Sequence, residues 1–292
     1  MKITAPAKLN LFLHITGQRD NGYHLLESLF AFTDLGDVIS IEPAATLSLT
    51  IEGPFAATIT SEPVEKNLVY RAALLLQKKQ AITQGAHIVL TKQIPVGAGL
   101  GGGSADAAAI LKGLNQFWHL NLSIETLCEM GLSLGADIPA CLVGQPAIVS
   151  GIGEIIEPIV LPPTPLPILL INPNYPLSTQ SVFHEYKTSR TAFTTSKKHT
   201  TLFTDSSTLL DYLSKNRNDL EPAATALYPD IQTLLDTLRQ QSGCKLARMS
   251  GSGATCFAFF QEIAFAETAI QTLKTLFPSH WMELSHFASD AQ

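Results

Sequence analysis

Residues 95–109 read PVGAGLGGGSADAAA, with five glycines in fifteen positions. Glycine loses more conformational freedom on folding than any other residue, so a run this dense weakens any helix or strand that contains it. The chain must turn here. HIVLTKQIP before the run alternates as a strand and is closed by Pro95. ADAAAILKGLNQFWHL after it has the alanine content of a helix, with Ala107, Ala108, Leu111 and Leu114 in one stripe. Strand, bare backbone and helix N-terminus in that order make an anion nest. Amide N–H groups uncovered by side chains converge on one point, and the helix adds about +0.5 of a charge there. Ser104, at the mouth of the helix, offers a hydroxyl suited to a phosphate or a magnesium ion.

Two other glycine motifs fit less well. Gly97, Gly99 and Gly102 have the G-x-G-x-x-G spacing of a dinucleotide site. However, Pro95 parts the strand from the glycines, and HLNLS around position 122 lacks the acidic residue expected ~20 positions on. A Walker loop ends in Gly-Lys-Ser/Thr, whereas Gly103 precedes Ser104 here. A plain flexible hinge accounts for the glycines but not for a helix that begins directly after them.

The remainder reads as a mixed α/β chain. APAKLNLFLHI alternates, with Ala7, Leu9, Leu11, Leu13 and Ile15 on one face and Lys8, Asn10, Phe12 and His14 on the other. Asn21-Gly22 marks a turn. DVISIEP and TLSLTIEG read as further strands. NLVYRAALLLQKK reads as a helix with Leu68, Ala72, Leu75 and Leu76 inward, and Ser123 can cap another, SIETLCEMGLSL. The four prolines of LPPTPLP (161–167) mark a boundary, which divides the 292 residues into domains over 1–163 and 164–292. ILLIN follows as a strand. Residues 188–208, rich in Thr, Ser and Lys, suggest a surface insertion. PDIQTLLDTLRQQ is an amphipathic helix, and KLARMSGSGATCFAFF reads strand, glycine turn, strand.

A net charge of −6 disfavours binding nucleic acid by phosphate neutralisation, so an anionic ligand must be met locally. The four cysteines show no metal or redox spacing and read as reduced core residues of a cytoplasmic protein, Cys141 included. No apolar run approaches the ~20 residues of a membrane span, and the short patch LNLFLHI does not read as a secretion signal. Taken singly, Lys8 is a lysine on a strand face, Asp137 a turn residue before Ile138-Pro139, and SGSGAT (250–255) a hairpin turn.

Together they carry a resemblance. PAKLNLFLHITGQRDNGYH, PVGAGLGGGSADAA and MSGSGATCF, in that order, resemble the three signatures of the GHMP kinases, the family of galactokinase, homoserine kinase and mevalonate kinase. Lys-Leu-Asn followed by Gly-Tyr-His, the triple glycine before Ser104 and LGADIP are similar to the branch whose substrate is a cytidine-diphosphate-linked methylerythritol. The resemblance implies a two-lobed α/β fold of α+β type with the active-site cleft between the lobes, and a monomer or homodimer that uses ATP and Mg2+ without a membrane or nucleic-acid partner. It implies that Pro95, Val96, Gly97, Ala98, Gly99, Leu100, Gly101, Gly102, Gly103, Ser104 and Ala105 cradle the triphosphate, with Ser104 the candidate metal ligand. Asn67 and Lys92 would meet the adenosine end, and Lys8 and Asp137 would be the catalytic pair. Asn10 would bind the erythritol part, Tyr23 and His24 the cytosine, with Phe183 as a second stacking face and Thr179 nearby. The chain has Ala105 and Ala254 where many relatives carry serine and proline, and Gln18-Arg19 leaves a single cation after the first strand.

Overall fold

The computed structural model describes residues 1–162, 166–175, 177–199 and 202–288. The expected boundary between 163 and 164 lies outside the described residues. The chain forms two compact units that interleave along the sequence. One holds Met1–Lys8, Leu35–Val96 and Gly101–Gly144; the other holds Leu9–Asp34, Gly97–Leu100 and Gln145–Gln292. The interleaving follows from two long strands, β1 (Lys2–Gln18) and β2 (His24–Ala44), which pair with each other and give residues to both units. The alternation along β1 predicts one apolar and one polar face, yet residues 7–15 are all buried. Lys8, Asn10 and His14 are therefore buried polar groups, and burial demands partners for them.

The first unit continues through β3 (Ser48–Glu52), α1 (Ala57–Thr60), α2 (Leu68–Lys79), β4 (Gly85–Thr91), α3 (Gly102–Phe117), α4 (Ile124–Leu132) and α5 (Ile138–Val143). β4 pairs parallel with β3 and antiparallel with Val38–Ala44 of β2. β4 stops at Thr91, well before Pro95, because Asp37 Oδ1 takes the Gln93 and Ile94 N–H groups out of any ladder. α2 is capped by Asn67, whose side chain accepts from Val69 N at 2.9 Å. Its buried face is Val69, Ala72, Ala73 and Leu76, while Leu68 and Leu75 are only half-buried. α3 begins at Gly102, three residues before the expected start, because Gly101 takes φ +64° at the N-cap and turns the chain straight into the helix. The expected single stripe is also exceeded. Residues 105–111 are all buried, since α3 packs against α2, α4 and α5. α4 is capped by Ser123, which accepts from Thr126 N.

In the second unit β5 (Ala147–Gly151) pairs with Leu26–Phe30 of β2, and β6 (Ile155–Pro158) pairs with β5. Beyond them lie β7 (Ile168–Asn172), α6 (Thr179–Thr188), α7 (Ser206–Ser214), α8 (Glu221–Leu227), α9 (Pro229–Arg239), β8 (Cys244–Met249), β9 (Cys256–Phe260), α10 (Ile263–Leu276) and β10 (Trp281–Ser285). β10, β7, β9 and β8 form an antiparallel sheet in that order. α9 presents Ile231, Leu234, Leu235 and Leu238 at helical spacing to its core, and α10 adds Ala266, Ala269 and Leu273.

The described residues of the segment 188–208 lie mostly at the surface, as expected, and several of them are tied down. Residues 206–208 belong to α7. Upstream, Thr194 donates its N–H to Ile15 O at 2.8 Å and its hydroxyl to Asp219 at 2.6 Å. Ser196 and His199 both bond Glu27, and His199 Nδ1 lies 2.5 Å from Tyr212 Oη. Buried polar groups on β1 and β2 recruit these residues, a constraint that composition does not reveal.

Candidate active site

The glycine run is held differently at its two ends. In the second unit, Gly97–Leu100 lies against the turn Ser250–Gly253. Ser250 Oγ donates to Gly99 O at 2.9 Å, and Thr255 N donates to Ala98 O at 3.1 Å. Gly99 has φ +75°, and a Cβ there would overlap the Ser250 carbonyl, so only glycine fits. Ser250 Oγ also accepts from Asn10 N at 3.1 Å, and Asn10 Nδ2 donates to Ser28 Oγ at 2.8 Å. Asn10 and both glycine turns therefore converge. Thr179, in the first turn of α6, joins the same group through Ser252 Oγ at 2.9 Å.

In the first unit the run becomes the start of α3. Gly101 is the N-cap and has no side chain to cap with, and the first helical bond runs from Ala105 N to Gly101 O at 2.9 Å. The N–H groups of Gly102, Gly103 and Ser104 therefore have no intrahelical partner and point out of the helix end. Gly103 is exposed, Ser104 is half-buried at the third helical position, and Ala105 is buried, so Ser104 is the hydroxyl of this turn. Pro95, Ala98 and Leu100 are buried, Val96 is half-buried and Gly97 is exposed.

Beside Gly101 stands Lys8. Its Nζ lies 3.2 Å from Asp137 Oδ2, with the lysine side chain 5% and the aspartate 37% exposed. Asp137 occupies the N-cap of α5 yet makes no capping hydrogen bond, which leaves its carboxylate for Lys8 and the solvent side. Cys141, one turn on, is buried; burial pushes its thiol up to about 12, so it stays protonated and is no nucleophile.

Two expectations meet different surroundings. Lys92, expected at the adenosine end, is buried and ion-paired to both Asp37 and Asp106, with 2.8 Å to the latter. Its ammonium lies under the loop, enclosed by carboxylates. Tyr23, expected to stack on cytosine, is 64% exposed in the turn between β1 and β2. The ring stacked on Phe183 is that of His24, at 5.1 Å and 29°, with Tyr186 edge-on at 5.9 Å. Burial, helped by the Lys187 charge, lowers the His24 pKa, so the imidazole is neutral at pH 7 with one donor and one acceptor nitrogen. Asn67 is committed to capping α2. Asp37, which contacts Lys92 and the segment before the glycine run, and Ser28, which contacts Asn10, lie outside the three motifs of the sequence. Asp106, which contacts Lys92, lies within the second motif but had no expected role. A visible signal was Asp106, an acid placed among alanines in an apolar helix.

Residues 67–145 match the GHMP kinases N terminal domain, and residues 202–278 match the GHMP kinases C terminal domain. The 4-diphosphocytidyl-2-C-methyl-D-erythritol kinase of Paramagnetospirillum magneticum is 45% identical over 281 residues, which cover 96% of each chain. That of Cereibacter sphaeroides is 42% identical, covering 97% of this chain and 98% of its own. A solved 4-(cytidine 5'-diphospho)-2C-methyl-D-erythritol kinase has a TM-score of 0.78 at 30% identity, over 99% of this chain and 100% of that one. The homoserine kinase of Cytophaga hutchinsonii has a TM-score of 0.72 at 19% identity, over 98% of this chain and 94% of that one, a likeness of fold. The chain belongs to the GHMP kinases, small-molecule kinases that take ATP as co-substrate. Within that family it falls among the 4-diphosphocytidyl-2-C-methyl-D-erythritol kinases, which its full-length relatives represent.

Proposed function

We propose that the protein transfers the γ-phosphoryl group of ATP to the 2-hydroxyl of 4-diphosphocytidyl-2-C-methyl-D-erythritol, giving the 2-phosphate and ADP, with Lys8 and Asp137 as the catalytic pair. The observation that carries this reading is the ion pair between a buried lysine and a part-exposed carboxylate beside the N-cap of the phosphate-binding helix. Phosphoryl transfer depends mainly on positioning and on stabilising charge. The outward N–H groups at the start of α3 hold the phosphates. Asp137 accepts the hydroxyl proton as the oxygen attacks, and Lys8 stabilises the negative charge that grows on that oxygen. Asn10, two residues from Lys8 on β1, orients the erythritol. His24 and Phe183 receive the cytosine, and Tyr23 closes on it from the turn.

The donor set suits a magnesium ion carried in with the nucleotide. Among the described residues no three His, Cys, Asp or Glu side chains form a cage, and the oxygen donor of the phosphate turn is the Ser104 hydroxyl. Bound there, the ion would neutralise the phosphate oxygens.

Incubation with Mg-ATP and the cytidylated methylerythritol should yield ADP and a product one phosphate heavier. Equal turnover with methylerythritol lacking the cytidine diphosphate, or with mevalonate, would sink the assignment. Asp137→Asn and Lys8→Ala should each lower kcat by ~10²–10⁴-fold, with nucleotide affinity nearly unchanged. Near-normal turnover in either variant rejects the pair.

A further inference from the structure

We propose that Asp37, Lys92 and Asp106 are positioning residues for the nucleotide, a buried ion triad that ties the strand entering the glycine run to the helix leaving it and so sets where the amides of the first turn of α3 point. The inference rests on the kinase reading above.

All three belong to the first unit and are 0–3% exposed. Lys92 Nζ is ion-paired to Asp37 Oδ2 and lies 2.8 Å from Asp106 Oδ2. The other oxygen of Asp37 accepts Gln93 N at 2.6 Å and Ile94 N at 3.0 Å. One carboxylate on β2 thus gathers the segment before the run, and the same ammonium reaches α3 through Asp106. The triad also touches the phosphate turn itself. A Cβ on Gly102 would stand 3.4 Å from Lys92 Nζ and 3.6 Å from Asp37 Oδ2, so only backbone separates the charges from the amides.

Stability alone does not account for such a cluster. Three buried ionisable groups carry a desolvation cost that an apolar trio of similar volume avoids. That cost is visible at Asp106. Its Oδ1 is buried without a hydrogen-bond partner, and burial raises its carboxyl to about 7 against the pull of Lys92. A buried polar group left short of partners calls for an explanation, and its tie to a phosphate-binding turn supplies one.

The test measures KM for ATP and for the cytidylated acceptor, and ADP affinity by calorimetry, in Asp106→Ala, Asp106→Asn and Asp37→Asn. Asp106→Ala should raise the ATP KM and the ADP Kd about ten-fold and leave the acceptor KM within about two-fold, since loss of alignment acts on the group aligned. Asp106→Asn keeps an oxygen toward Nζ and should recover most of the affinity. Asp37→Asn should also raise the ATP KM selectively, and it decides the matter if Asp106→Ala does not fold. Both KM values moving together, an Asn variant no better than Ala, or a lowered Tm with unchanged ADP affinity overturns the proposal. A wild-type chain that binds no ADP overturns the kinase reading instead.

Discussion

His24 and Tyr23 are neighbours in the chain, yet the first stacks on Phe183 and the second stands in solvent. Phe183 therefore supports the imidazole as well as offering its own face. Phe183→Ala should raise the KM for the cytidylated acceptor by ~5–150-fold, as stacking on a base contributes ~1–3 kcal/mol, and by more than Tyr23→Ala does. Steady-state kinetics with the two variants decide it, and a larger effect at Tyr23 would reverse the assignment. Asp106 gives a prediction of another kind. Burial raises its carboxyl to about 7, whereas an unfolded aspartate sits near ~4. The folded state therefore binds the proton more tightly, and stability falls as pH rises from ~4 to ~7. Asp106→Asn removes that ionisation while the facing Asp37 and Lys92 remain. Thermal melts should show wild type losing ground to the variant between pH 5 and pH 8; a constant gap refutes it.

At the scale of elements, helices with strong local signals are plain in the sequence. Ser123 caps as its position predicts, because an N-cap needs only its own neighbours. The start and the full burial of α3 are not plain, since they depend on Gly101 turning beside Lys8 and on three helices burying its circumference. The 188–208 segment, expected as a surface insertion, is mostly exposed, and Glu27 also holds it through Ser196 and His199. Glu27→Ala should speed amide exchange across 190–199 by about ten-fold and leave the amides of β7 and β9 unchanged, as two side-chain bonds are lost. Unchanged protection in the segment would show that other contacts hold it.

Across the molecule, each unit is drawn from several stretches of the chain. Within the second unit, Arg248 of β8 joins distant segments. Its guanidinium donates to Leu11 O at 2.5 Å, Leu213 O at 2.9 Å and Asn216 O at 2.6 Å. Burial lowers its pKa to about 10, so it keeps its charge at pH 7. Arg248→Leu strands three carbonyls and should cost about 3 kcal/mol or more, read from the denaturation midpoint; a shift within error would mean water replaces the guanidinium. The glycine turn before α3 and the turn over 250–255 were legible in the sequence because each is a local demand on the backbone, whereas Lys8 and Asp137 stood out only through the resemblance to a family. The tertiary structure alone decided that Lys92 lies between two carboxylates, that His24 rather than Tyr23 meets Phe183, and that 190–199 is fastened. Those outcomes depend on which buried charges and rings meet across long stretches of chain (55 residues from Asp37 to Lys92), and no local pattern encodes that pairing.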